Sequence, residues 1–177
     1  PLDGGVVLVS GGGWGVGDVE GAIETALAAA GVGRVVVLAG RSDALIAELR
    51  RRFADEPRVL LLGFTDRMSE LMAAADVLVH STAGLTVLEA LIRGCRPISY
   101  GWGIAHVRVN NEAYTRFAIA EVARSRGELH TAIERALAAP RRPFTAYGEL
   151  PAAADEVIAL VTRGRPHPRM RRPLASG

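Results

Sequence analysis

The chain contains no lysine, since all 21 of its basic residues are arginine. A Walker-type phosphate loop needs a lysine to reach the phosphates of a bound nucleotide, so this class of site is excluded. The chain also has a single cysteine, Cys95. One cysteine cannot form a disulfide within the chain, and we therefore expect a protein of the reducing cytoplasm.

Long apolar runs are missing as well. No run approaches the roughly 18 residues that a membrane-spanning helix needs. The first residues, PLDGG, lack the basic flank and the apolar core of a signal peptide. We expect a soluble chain from which no leader has been removed.

Patterns that bind metal ions are also absent. The sequence has no D-x-D pair to hold a divalent metal against a diphosphate, and its four histidines are not spaced like zinc ligands. We expect no metal site.

Acidic residues are absent from the last fifteen residues, RGRPHPRMRRPLASG, which hold five arginines. Without those five, 16 basic residues stand against 19 acidic ones, so the rest of the chain is mildly acidic. The proline-rich end is predicted to be disordered, either as a solvated tail or as a patch for anionic lipid headgroups. It has no aromatic residues to stack on bases, so we expect no nucleic-acid partner.

What the sequence does contain is a regular alternation of two patterns. Apolar runs of strand length are each followed by a helical pattern, which is typical of a parallel sheet covered on both faces. We predict an α/β doubly wound, Rossmann-like domain over residues 1–162, followed by a basic tail over residues 163–177. Asp18 and Ser42 are predicted helix N-caps, and Gly31 and Gly94 follow the helices that they end. The segments that carry the pattern are VVLVS, VEGAIETALAAAG, RVVVLAG, SDALIAELRRRF, RVLLLGF, RMSELMAAA, DVLVHS, LTVLEALIRG and RPISYG.

The first strand runs into a loop with glycine at five of the seven positions from Gly11 to Gly17. Ligands of doubly wound sheets bind at the carboxyl ends of the strands, and glycines let the backbone approach a phosphate beside the next helix N-terminus. The spacing does not fit G-x-G-x-x-G, because Val16 and Asp18 stand where the last glycine belongs. NADP, with Arg41 contacting its 2′-phosphate, and a simple tight turn remain alternatives.

The loop after the fourth predicted strand is a second candidate anion site. Small and hydroxylated residues from Ser81 to Gly84 precede a helix that begins near Leu85, where backbone N–H groups and the helix dipole favour an anion. Glu89 lies one turn into that helix. It is either a partner of the helix dipole or a bidentate acceptor for the two ribose hydroxyls of a nucleotide.

Four segments together resemble a known family: GGGWGVGDVEGAIETAL, AGR, GFTDRMSELMAAADVLV and STAGLTVLEALIRGCRPI. They are similar to the C-terminal domain of the family 28 glycosyltransferases, which have the two-domain GT-B architecture. That family includes monogalactosyldiacylglycerol synthases, processive diacylglycerol glucosyltransferases and the N-acetylglucosaminyltransferase of peptidoglycan precursor synthesis. The resemblance implies a hexosyltransferase domain that binds a UDP-sugar and needs no cofactor. The lack of a D-x-D pair predicts that its catalysis is metal-independent.

The resemblance assigns a task to each loop. The glycine loop would approach donor and acceptor, Arg41 and Phe64 would border the uracil with Met68 on the apolar side, and Glu89 would hold the ribose. The residues from Ser81 to Thr86 would face the diphosphate. The substrate-binding residues implied in this way are Gly12, Gly13, Gly15, Arg41, Phe64, Met68, Ser81, Thr82, Ala83, Gly84, Leu85, Thr86, Glu89, His106, Asn110 and Asn111.

The fifth loop departs from the family pattern. Ile104 and Ala105 stand where the plant galactolipid enzymes have a Gln-Glu pair, so galactose specificity is not implied. His106 is a weak catalytic candidate. The resemblance places the general base and the lipid acceptor in an N-terminal domain, and we expect the chain to be an inactive donor-binding fragment cut at the interdomain linker. A lipid acceptor would bring the protein into contact with the cytoplasmic membrane face. The alternatives to hexosyl transfer are N-acetylglucosaminyl transfer to a cell-wall precursor, a GT-B-like epimerase and a non-catalytic nucleotide-binding module.

Overall fold

A computed structural model of the chain describes residues 3–14, 17–81, 84–101, 105–142 and 153–163. The chain divides into two compact units, Pro1–Phe144 and Thr145–Gly177. The predicted domain boundary after residue 162 stays a prediction. The first unit contains the candidate site, and the second unit is treated separately below.

Strands and helices alternate throughout the first unit. The strands are β1 (Gly5–Ser10), β2 (Val32–Leu38), β3 (Val59–Leu62), β4 (Val77–His80), β5 (Arg96–Tyr100) and β6 (Glu121–Ala123). The helices are α1 (Val19–Ala28), α2 (Asp43–Arg52), α3 (Met68–Ala74), α4 (Thr86–Ile92), α5 (Ala105–Phe117) and α6 (Arg126–Ala138), and a 3-10 turn covers Gly12–Trp14.

All six strands are parallel and form one sheet in the order β3-β2-β1-β4-β5-β6. The order reverses direction between β1 and β4, and this is where a doubly wound sheet opens a crevice for a ligand. The predicted fold class is confirmed.

The side chains of β1, β2 and β4 alternate between two hydrophobic cores. Val7 and Val9 of β1 point to one face, where they pack with α1 and α6 residues such as Ile23 and Ile133. Leu8 points to the other face and packs with Met72 of α3. Because both faces are covered, the strands are apolar at nearly every position, which explains why their sequence patterns are continuous.

Side chains cap the helices as the sequence predicts. The carboxylate of Asp18 accepts the backbone N–H of Gly21 at 2.9 Å, and the hydroxyl of Ser42 accepts that of Leu45 at 3.3 Å. At its C-terminal end, helix α5 is closed by the backbone. Ala118 has a positive φ of 50°, and the N–H of Ile119 donates to the carbonyl of Tyr114 at 3.0 Å. This is the left-handed helix end that glycine usually occupies.

The second unit contains helix α7 (Ala153–Arg163). Its exposed apolar side chains include Val157, Ile158 and Val161. Among the described residues, no helix combines the length and the apolar character needed to cross a membrane.

Candidate functional site

The parallel register brings five loops to one edge of the sheet. Ser10, the last residue of β1, pairs with Leu38 of β2 on one side and with His80 of β4 on the other. Leu38 pairs in turn with Leu62, and His80 with Ser99. The loops that follow β1, β2, β3, β4 and β5 therefore leave the sheet at the same level.

A cleft of about 160 Å³ opens at this edge. The loops after β1, β2 and β3 contribute to it, together with the first residues of α3 and α4. The lining residues are Ser10, Gly12, Gly13, Leu38, Gly40, Gly63, Phe64, Thr65, Met68 and Thr86. Five of the sequence-predicted site residues are thus brought together in one cleft: Gly12, Gly13, Phe64, Met68 and Thr86.

The glycine loop is held against the loop after β2. The backbone N–H of Arg41 donates to the carbonyl oxygen of Gly13 at 2.9 Å. Gly40 has a φ of +63°, and a Cβ atom there would lie 2.5 Å from the same carbonyl oxygen. Glycine is required at this close approach. Gly13 itself faces open space, so a ligand can come close to its backbone.

Phe64 and Arg41 form an exposed stacked pair at the mouth of the cleft. Phe64 is 57% exposed, and the guanidinium carbon of Arg41 lies 3.7 Å from the centre of its ring. An exposed phenylalanine costs solvation free energy, and the cation–π contact offsets only part of that cost. Arg41 covers one face of the ring, and more than half of the surface of Phe64 remains open to solvent.

The loop after β4 touches the glycine loop through Ser81, which is buried. A Cβ atom at Gly17, where φ is +99°, would lie 2.7 Å from the Cβ atom of Ser81. Beyond this contact, Leu85 is 71% exposed, and it makes no side-chain capping hydrogen bond as the N-cap of α4. Glu89 lies exposed in that first turn, outside the cleft lining.

Asp18 occupies the N-terminus of α1, which the sequence analysis assigned to a phosphate. Besides capping Gly21, its carboxylate accepts the hydroxyl of Tyr100 at 2.8 Å. Arg126 donates to both carboxylate oxygens, from Nε at 3.2 Å and from Nη2 at 3.3 Å. We call Asp18, Tyr100 and Arg126 the Asp18 cluster. The first turn of α1 thus already faces an anionic group of the chain itself.

The groups of the Asp18 cluster shift one another's pKa values. Burial raises the pKa of Asp18, but the hydrogen bonds from Tyr100, Gly21 and Arg126 outweigh burial and hold that pKa below its ordinary value of 3.8. Burial, together with the neighbouring carboxylate, raises the pKa of Tyr100. Asp18 is therefore a stable anion at neutral pH.

The two asparagines of α5 lie in different surroundings. Asn111 is buried, and its Oδ1 accepts the hydroxyl of Ser99 at 2.6 Å, so this side chain ties α5 to β5. Asn110 is half-buried one position earlier. Gly15, Thr82 and Ala83 lie outside the described residues, as does the side chain of His106.

Four further residues belong to the site region but were not predicted from the sequence: Ser10, Thr65, Tyr100 and Arg126. Ser10, Thr65 and Tyr100 each end or follow a strand at the carboxyl edge, so the rule that identified the other loops could have found them. Arg126 comes from the first turn of α6, and no local pattern marks it. Within the described part of the chain, no group of three or more His, Cys, Asp or Glu side chains is placed to hold a metal ion.

Comparison with curated proteins finds relatives over part of the chain. Processive diacylglycerol beta-glucosyltransferase of Staphylococcus epidermidis is 37% identical over 67 residues, which are 38% of this chain and 17% of the relative. The enzyme of the same name from Staphylococcus aureus is 32% identical over 95 residues, 53% of this chain and 24% of the relative. The match thus spans less than a quarter of either relative's length. No protein-family model matches the chain.

Solved structures share the fold over most of the chain. The glycotransferase of kitacinnamycin has a TM-score of 0.66 with 21% sequence identity, covering 93% of this chain and 44% of its own. Anabaena HepE, solved in complex with UDP and glucose, has a TM-score of 0.62 with 17% identity, covering 92% of this chain and 49% of its own. The described fold is therefore that of one half of these larger glycosyltransferases.

Proposed function

Because the chain resembles the C-terminal domain of family 28 GT-B glycosyltransferases in sequence and fold, we propose that it is the donor-binding domain of such an enzyme. The enzyme moves a hexose from a UDP-sugar to a lipid acceptor. The observation that carries the proposal is the cleft at the strand reversal, where the glycine loop, Phe64 and Thr86 meet.

The lining of the cleft suits the parts of a nucleoside diphosphate. The ring of Phe64 offers an apolar face for the base, and the Arg41 guanidinium stacked on it offers hydrogen-bond donors at the border. Gly13, whose backbone faces open space, and Thr86 line the same cleft, and we assign the phosphates to them. Anabaena HepE, a structural neighbour, was solved with UDP, which supports this choice of donor.

Calorimetric titration of the purified chain tests the donor. We expect UDP and UDP-glucose to bind more tightly than NADP, because the loop lacks the dinucleotide spacing. The reverse order would overturn the glycosyltransferase proposal. Phe64→Ala should weaken the binding of UDP and of uridine alike, since the substitution removes the stacking surface. Phe117→Ala, at a phenylalanine that is 60% exposed in α5, is the matched control for losing an aromatic ring.

The diphosphate is proposed to be stabilised by backbone amides, helix ends and arginines, without a metal. The proposal is supported by the lack of a D-x-D pair in the sequence. We expect UDP affinity to be unchanged when EDTA is added. A loss of affinity that Mg²⁺ or Mn²⁺ restores would contradict this part of the proposal.

The lipid acceptor is proposed from the curated relatives, whose names specify diacylglycerol. Most of the length of those relatives lies outside the match, and we place the acceptor site there. We also propose that the protein is cytoplasmic and that it contacts an anionic membrane through the five arginines of residues 163–177. Co-sedimentation with vesicles of phosphatidylglycerol, compared with vesicles of phosphatidylcholine, tests the membrane contact.

A further inference from the structure

None of the three side chains of the Asp18 cluster lines the cleft, yet the cluster lies where the glycine loop ends and α1 begins. We infer that Tyr100 and Arg126 are positioning residues, which hold the glycine loop through Asp18 in the shape that binds the donor. The inference rests on the proposed function, because it gives these side chains a part in the same donor site.

The cluster joins three distant parts of the chain at a single carboxylate. Tyr100 ends β5 and Arg126 begins α6, and they follow Asp18 in the sequence by 82 and 108 residues. The two nitrogens of Arg126 each meet a different oxygen of Asp18. Such a forked contact fixes the orientation of the carboxylate as well as its distance.

The cluster is itself anchored to the body of the domain. The third nitrogen of Arg126 donates to Glu24 of α1 at 3.0 Å, and Glu24 also accepts from Arg52 at the end of α2 at 2.8 Å. Tyr100 is buried, with only 8% of its surface exposed. Asp18 is therefore held by a rigid strand end and by a helix that packs on α1.

The glycine loop is held at its other contacts as well. Gly17 lies against Ser81, and the carbonyl of Gly13 accepts the N–H of Arg41. Both contacts precede Asp18 in the chain, so Asp18 is a third point at which the loop is held. The shape of the loop at Gly12 and Gly13, where we place the diphosphate, thus depends on how firmly its end at Asp18 is fixed.

The experiment compares two arginines of the same helix. Arg126→Gln removes the forked contact with Asp18, whereas Arg135→Gln, the matched control, removes an ion pair with Glu121 away from the cleft. UDP affinity is measured by calorimetry at 10 °C, where circular dichroism checks that all variants are folded. Amide hydrogen exchange of residues 11–18 is measured with and without UDP. Tyr100→Phe is a second, milder variant that removes only the hydroxyl.

We expect Arg126→Gln to weaken the affinity for UDP by about five- to twentyfold and Tyr100→Phe to weaken it by about three- to tenfold. Losses of this size are expected when hydrogen bonds to a charged group are removed. Exchange of residues 11–18 should accelerate in both variants and slow again when UDP binds. Arg135→Gln should change neither quantity, and Arg126→Lys should recover part of the affinity.

Two results would overturn different statements. If the unchanged chain binds UDP and both cluster variants bind it equally well, with unchanged exchange of residues 11–18, the positioning role is wrong and the proposed function stands. If the unchanged chain does not bind UDP, the proposed function is wrong. The exchange of residues 11–18 without ligand still decides in that case whether the cluster holds the loop.

Discussion

Glu89 is the acidic residue in the first turn of α4, with its side chain exposed beside the loop that we assign to the diphosphate. If it accepts hydrogen bonds from both ribose hydroxyls, Glu89→Gln should weaken UDP binding by about 1–3 kcal/mol, the range for a lost charge-assisted hydrogen bond. Calorimetry with UDP and with 2′-deoxy-UDP measures this, and the loss should be smaller for the deoxynucleotide. Glu48→Gln, on exposed α2, is the control. Equal losses for both nucleotides would mean that Glu89 acts only on the helix dipole.

Asp18 gives the stability of the domain a pH dependence whose sign follows from its pKa. Hydrogen bonds lower that pKa in the folded chain below the ordinary value of 3.8, so the unfolded chain binds a proton more readily. The contribution of the Asp18 charge is therefore present above about pH 4 and is lost as the pH falls through the folded pKa. Asp18→Asn keeps an N-cap but removes this charge.

Thermal unfolding from pH 7 to pH 3 measures the effect. We expect the melting temperature of the unchanged chain to exceed that of Asp18→Asn at neutral pH, and the difference to shrink at the acidic end. Asp55→Asn, at an exposed carboxylate, serves as the control and should follow the unchanged chain. A difference that stays constant over the whole range would contradict the assignment.

Helix α5 ends in a strained conformation, because Ala118 has a φ of 50°. An alanine in the left-handed region costs about 1 kcal/mol relative to glycine, since its Cβ crowds the backbone. We expect Ala118→Gly to raise the free energy of unfolding by about 0.5–1 kcal/mol in urea titrations. Ala120→Gly, two residues later and without a positive φ, should lower it or leave it unchanged. Destabilisation by Ala118→Gly would show that the helix end is not strained.

The strands and helices could be predicted from the sequence because each has a local signal. A run such as RVVVLAG is continuously apolar because β2 is buried on both faces, and Ser42 marks the start of α2 by its own hydrogen bond. The meeting of the loops at one edge then follows from the parallel order of the strands. Gly12, Gly13, Phe64, Met68 and Thr86, which the family resemblance implied as site residues, do line one cleft at this edge.

Contacts between distant side chains could not be predicted in this way. Arg126 is one of 21 arginines, and nothing near it in the sequence indicates that its partner is Asp18. Asn111 lies next to another asparagine, and only the packing of α5 on β5 decides which of them meets Ser99. Asp18 was predicted as an N-cap, but its two further partners come from β5 and α6.

At the scale of the molecule, the first unit, Pro1–Phe144, contains the whole sheet and the cleft. We expect a chain truncated after Phe144 to fold, with a melting temperature within a few degrees of the full chain and an unchanged affinity for UDP. Thermal unfolding and calorimetry on both chains measure this. Loss of the cooperative transition on truncation would show that the second unit supports the fold of the first.

The 177 residues should bind the donor but transfer no sugar. In the proposal the acceptor and the general base lie outside this chain, and lost positioning of the reactants alone removes several kcal/mol of catalysis. A transfer assay with radiolabelled UDP-glucose and diacylglycerol measures this, with buffer as the control. Transfer above the buffer rate would contradict the proposed division between donor and acceptor domains.

The reversal of strand order between β1 and β4 also fixes when the cleft can form during synthesis. Val7 of β1 pairs with Val77, seventy residues later, and Asp18 cannot bind Arg126 until that residue has been translated. A chain emerging from the ribosome can pair β1 with β2 and β3 first, which leaves one apolar edge of β1 without a neighbour until β4 is translated. An unpaired edge of this kind can associate with other chains, so β1, whose last residue lines the cleft, is open to such association until β4 has been translated.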